Sequence, residues 1–147
     1  MSRLVFAIVG LIFVVNASAQ GTNSPQALAN AVASAISSGK SASLAELFSP
    51  ETNVNSKKYA IQDFMAYKGA AHLSAKPVHP GDKNWVGEPL PLLLKKLADH
   101  SYAFPTKPLG RIIISGQRSG QNNISMASAF YGKLGNKYLL IFAKPAK

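Results

Sequence analysis

The chain has 147 residues, no cysteine, and sixteen Lys and Arg against six Asp and Glu, a formal net charge of +10. That length suits one core-forming domain, and the missing cysteines exclude disulfides, thiolate metal sites and thiol catalysis. Where charge selects a partner, it selects an anionic one, and the asymmetry is local: from Ser101 to Lys147 there are seven bases and no acid.

The start, "MSRLVFAIVGLIFVVNASAQ", places Arg3 before an uncharged apolar run, Leu4 to Val15, with small residues at Ala17 and Ala19. This is the pattern of a secretory signal peptide. The run of twelve residues is shorter than the ~20 that cross a bilayer. The expectation is a leader over 1–19, a single α+β domain over 20–147, and a periplasmic or secreted protein held together by packing alone. The sequon Asn123-Ile124-Ser125 matters only in a glycosylating eukaryotic host.

In "SPQALANAVASAISSGK", Ser24 is placed to cap a helix, Pro25 suits its first turn, and Gly39 stands beyond its end, while Leu28, Val32 and Ile36 make one apolar stripe. "SLAELFSP" predicts a shorter helix with Ser43 and Glu46 at capping-box spacing, Leu44, Leu47 and Phe48 inward, and Pro50 as the stop. "NSKKYAIQDFMAYKG" predicts a third, with Ile61, Phe64 and Met65 on one face and Gly69 at its end. The next stretch, "AAHLSAKPVHP", is read as extended with Ala71, Leu73 and Ala75 on one side, or as a continuation of the third helix to His72. "HPGDKNWVGEPLP" reads as an ordered loop around Trp85, and "LPLLLKKLADHS" as a helix from near Pro91 that buries Leu93, Leu94 and Leu97.

From Ser101 the hydrophobic period becomes two. "SYAF", "GRIIISGQ", "NISMASAFYG" and "KYLLIFAK" are candidate strands, the third with Ile124, Met126 and Phe130 inward against Ser125, Ala127 and Ala129, the fourth apolar on both faces. Gly135-Asn136 is a hairpin signal with Gly at the first central position. Helices first and an antiparallel sheet last define an α+β fold.

The helical opening "ALANAVASAISSGKSASLAELFSPE" and the closing "FYGKLGNKYLLIFAKP" resemble the NTF2-like (SnoaL-like) superfamily. The resemblance implies helices packed on a curved, mostly antiparallel sheet that forms a cone with an apolar pocket at its open end. "HPGDKNWVGEPLPLLLKKLADHS" departs from the strand usual there, and a cystatin-like sheet wrapped around a helix is the competing topology. Members of that superfamily include isomerases, dehydratases, polyketide cyclases and non-catalytic domains, so the fold does not choose among functions. No enzyme branch's catalytic residues map onto numbered positions here.

The chemistry-bearing residues are few. His72, His79 and His100 are spaced seven and twenty-one apart, unlike the spacings that put metal ligands on one helix or strand face, so neither a metal nor another cofactor is expected. Asp82 either orients His79 or closes the "HPGD" turn through its own hydrogen bonds. Asp63 and Tyr67, one turn apart on a helix, are the best acid–base pair, with His100 the other catalytic candidate; Tyr67, His72, Trp85 and Tyr102 are the candidate ligand-binding residues. Nucleophile elbows, zincin motifs and P-loops are absent, and "SGQRSGQNN" reads as a hairpin loop.

These residues point first to an exported, non-catalytic domain binding a small apolar ligand or an envelope protein. The second reading is a small enzyme doing acid–base chemistry on an apolar substrate, and the third a basic adaptor in weak contact with anionic polymer. Phe130, Tyr138 and Phe142 read as sheet core rather than base-stacking platforms, which argues against nucleic acid.

Overall fold

The computed structural model describes residues 22–147, and the leader expected at 1–19 lies outside the described residues. Helix α1, Pro25–Ser37, forms as its punctuation dictates. The Ser24 side chain accepts a hydrogen bond from the Ala27 N–H, and Gly39 leaves the helix at φ +68°. Leu28, Val32 and Ile36 are completely buried, with Ala29 and Ala35 beside them.

Helix α2, Ser41–Ala45, begins earlier than the expected capping box. Lys40 precedes its first turn, no side chain caps it, and Ser43 lies inside it. The cause is the end of α1: the Gly39 and Lys40 N–H groups donate to the Ile36 and Ala35 carbonyls, so the chain has already turned and re-enters helix at Ser41. Leu44, Leu47 and Phe48 are buried as expected. Asn53 caps α3, Val54–Met65, by accepting from the Asn55 and Ser56 N–H groups. Phe64 and Ala60 are its buried residues, whereas Ile61 and Met65 are only partly covered.

Beyond α3 the chain does not stay helical to His72. Gly69 turns it at φ +75° into strand β1, Ala71–Val78. Leu73 and Ala75 pack on the core, but Ala71 is exposed, because the register shifts between Ala71 and Ser74 and His72 sits at φ +56°. The loop around Trp85 leads to helix α4, Leu90–Asp99. Only Leu90 is buried there; Leu93 and Leu97 are half-buried and Leu94 is exposed, because α4 packs on β2, Tyr102–Ala103, rather than on the main sheet. That strand is not part of the expected meander either: it pairs with β6, Lys144–Pro145, in a separate two-stranded ribbon.

The meander comprises β3, Pro108–Gln117, β4, Ile124–Leu134, and β5, Lys137–Ile141, and β1 joins at its far side to give the order β1-β3-β4-β5, all antiparallel. Gly135, at φ +59°, makes the β4–β5 turn. The sheet curls into a half-barrel and the molecule is α+β, but the helices do not all come first as expected, because β1 of the main sheet precedes α4. Its inner face carries Ile112, Ile114, Ala129, Tyr131 and Leu140 against α1.

The expected facing of β4 is reversed. Ser125, Ala127, Ala129 and Tyr131 point inward, while Ile124 and Met126 are 68% and 60% exposed and Phe130 lies on the outer face. Register explains it: Ala129 is paired with Ile112 and Ala127 with Ile114, and those isoleucines already fill the layer under the helices. Among the described residues no helix is long and apolar enough to cross a membrane.

Candidate functional site

Where α3 passes the first half of β4, helix and strand stand apart and leave an open groove of about 580 Å³. One face of α3 supplies Tyr59, Asp63 and Phe64, Tyr67 comes from the turn just beyond the helix rather than from the helix itself as expected, and β4 supplies Ser125 to Ser128. Phe142 closes one side and Arg118, in the β3–β4 loop, another. Tyr67 is almost fully buried, and the Arg118 guanidinium lies over its ring at 5.6 Å. Arg118 also donates through Nε to the Gln121 side-chain oxygen at 3.3 Å. The Ser125 Oγ is buried in the wall and has no hydrogen-bond partner among the described residues. The groove therefore has an aromatic floor, the Ser125 hydroxyl on the β4 wall and one cation above Tyr67.

Asp63 and Tyr67 thus line the same groove. Asp63 lies at its exposed rim and makes no ion pair among the described residues. A general acid or base is ordinarily set in an apolar cavity, which this rim is not. His100 is exposed at the end of α4, its Nδ1 2.9 Å from the Lys96 carbonyl oxygen, far in the chain from any groove residue. Among the described residues no group of three or more His, Cys, Asp or Glu is placed to hold a metal ion.

The four candidate ligand-binding residues do not converge. Only Tyr67 reaches the groove. His72 is exposed on β1. Tyr102 lines a shallower depression of about 350 Å³ beside α4, with Leu94 and Leu97. Trp85 belongs to a clamp on the outer face: its Nε1 donates to the Glu88 carbonyl, and its ring and that of Phe130 enclose the Arg111 guanidinium at 5.3 and 4.1 Å. Arg111 donates to the Ser128 hydroxyl at 3.0 Å, its Nε has no partner, and burial lowers its pKa. The clamp ties the 79–89 loop to the sheet, which is a structural use of these aromatics.

Asp82 closes the "HPGD" turn by accepting from the His79 backbone N–H at 2.9 Å. The His79 ring meets Tyr131 edge-on, with Nε2 3.4 Å from the buried phenol oxygen. Burial, then Tyr138, then Asp82 push the Tyr131 phenol above its ordinary value. Gly110 makes room for that ring, since a Cβ there would stand 2.8 Å from the phenol oxygen and 2.3 Å from the Val78 carbonyl oxygen.

Sequence reasoning missed Arg118, Ser125, Tyr59 and Phe142 as neighbours of Asp63 and Tyr67. The available signal was the small-residue run "SMASA" in β4, whose inward positions are too short to reach α3. Compared with known proteins, the chain matches no family model, no curated protein and no solved structure.

Proposed function

We propose that this is an exported, non-catalytic binding domain of NTF2-like type that holds a small, largely apolar ligand in the α3–β4 groove. The observation that carries the reading is the groove's composition. Tyr59, Phe64, Tyr67 and Phe142 offer apolar and aromatic surface, while Arg118 and Ser125 offer polar groups at its edges, the usual make-up of a small-molecule site. Helices packed on the inner face of a curled antiparallel sheet, with one end of that face uncovered, support the NTF2-like assignment over a cystatin-like one. The Arg118 guanidinium favours a ligand with an anionic or polar end.

Titration with the anionic aromatic probe 8-anilinonaphthalene-1-sulfonate tests this. Saturable binding at one site is expected, weakened by Arg118→Gln and abolished by Ala127→Trp, which fills the groove. Binding that Ala127→Trp leaves intact would sink the reading. A second reading, a small enzyme of the same fold, rests on Asp63 and Tyr67 sharing the groove; on it, Asp63→Asn would abolish turnover with folding unchanged. The basic-adaptor reading is less favoured, because several bases of the last third already have structural partners: Arg111 in its clamp, Lys133 over Tyr138, and Lys144 paired with Glu51.

A further inference from the structure

Each edge of the sheet is guarded except one. On β5 the outer edge is covered: Tyr138 and Thr22 exchange backbone hydrogen bonds, the Leu140 N–H donates to the Leu47 carbonyl, and the Leu140 carbonyl accepts from the Ser49 N–H. On β1 the outer edge carries Lys76, Pro77 and the irregularity after Ala71, the features that discourage edge pairing. The first half of β4 has neither. β5 pairs only with Phe130–Leu134, so, among the described residues, 124–128 are bonded to β3 on one side and to no strand on the other.

The alternation of the backbone fixes which groups are free. Tyr138 and Leu140 direct their N–H and C=O groups away from β4, so Leu139 and Ile141 bond it, through Gly132 and Phe130. Counting back by twos, Ile124, Met126 and Ser128 direct theirs out of the open edge. Among the described residues no backbone hydrogen bond beyond the strand pairs is made by these three. Their side chains share the outer face, where Ile124 and Met126 are the exposed large apolar residues.

We propose that a second copy of this chain pairs its own β4 antiparallel with this edge. The argument for a second copy is charge. In a chain of net charge +10 the segment from Ser119 to Gly132 has no charged residue, so two basic molecules approach there with least repulsion. A twofold axis at Met126 sets Met126 against its counterpart and Ile124 against the partner subunit's Ser128, forming about six backbone hydrogen bonds. The four apolar side chains then make one outer-face cluster. On the inner face, Ser125 and Ala127 are small enough not to obstruct the joint. The paired edge adjoins the groove, since Met126 and Ser128 border it, but Ile124 does not line it, so a change at Ile124 tests the pairing apart from the ligand reading.

Sedimentation equilibrium on the full chain, without its expected leader, tests the pairing. A dimer is expected at tens of micromolar, and its affinity should rise between roughly 0.05 and 0.5 M salt, because screening relieves repulsion between like-charged copies. Binding to an anionic partner would weaken over the same range. Ile124→Lys should raise the dissociation constant at least roughly tenfold, by placing like charges in the joint. Met126→Pro, which removes an edge N–H, should do the same. Leu92→Lys, on the exposed side of α4, should leave it unchanged. Ile124 is exposed, so its substitution should not disturb folding, and unchanged circular dichroism will show this. A monomer throughout the concentration range, or a dimer that survives Ile124→Lys and Met126→Pro, overturns the proposal. Retained probe binding in a monomeric Ile124→Lys variant would separate this surface from the groove.

Discussion

Helices α1 and α3 lie over the same face of one sheet and treat it differently. α1 meets it through Leu28, Val32 and Ile36, all completely buried. α3 touches the core through Ala60 and Phe64 and then stands off, leaving Tyr59 66% exposed over the groove. The difference arises across the sheet: opposite α1 the inward side chains include Ile112 and Ile114, and at the end near α3 they are Ser125 and Ala127. Large residues on both layers make a core, and small residues on one layer make a cavity.

That contrast can be broken from either side. Ile36→Ala in α1 should cost about 2–5 kcal/mol in urea unfolding, through lost transfer energy and a trapped cavity. Tyr59→Ala in α3 should change stability by no more than about 0.5 kcal/mol. If the two cost the same, the groove is not open in solution.

Enlargement sharpens the comparison. Ala29→Leu under α1 should destabilise by about 1–3 kcal/mol from overpacking. Ala127→Leu, which points into free space, should cost less than that and weaken probe binding.

The outer-face clamp gives a smaller effect. Arg111→Ala should cost on the order of 1 kcal/mol through lost stacking and stem packing, and Trp85, the only tryptophan, should report it as a red-shifted emission.

The smallest effect belongs to Tyr131, whose phenol burial holds above the ordinary value of 10.0. Above about pH 10 the unfolded chain loses that proton while the folded chain keeps it. The folded state then binds more protons, so stability falls as pH rises from there to the folded value. Below pH 10 the group has no such effect. Tyr131→Phe should flatten the alkaline limb of a stability–pH curve, and an unchanged limb would mean that the phenol is not shielded.

Local chemistry made much of the fold legible. The α1 cap and stripe depend on contacts within a turn or two, so Ser24, Pro25, Leu28, Val32, Ile36 and Gly39 announce the helix before any tertiary contact exists. The Gly135 turn likewise follows from two residues. Asp63 and Tyr67 were recognisable as neighbours from their four-residue spacing, and the turn that follows Met65 keeps them in one groove although Tyr67 lies beyond the helix. Arg118 and Ser125 were not, because they reach those residues only through β4's register with β3. Trp85 and Tyr102 flank the same helix in sequence yet lie in different surroundings, one clamped to Arg111 and the other in the depression beside α4.

By itself, the sequence determined the two ends of α1, the antiparallel run of β3, β4 and β5, the absence of cysteine chemistry and the concentration of positive charge after Ser101. Tertiary structure alone decided which face of β4 turned inward. Alternation says that two faces differ but not which is buried, and hydrophobicity favoured Ile124 and Met126. The paired isoleucines of β3 had already filled the inner layer, so the small residues went in and the large ones out. That choice produced both the groove beneath α3 and the apolar, unpaired edge beside it.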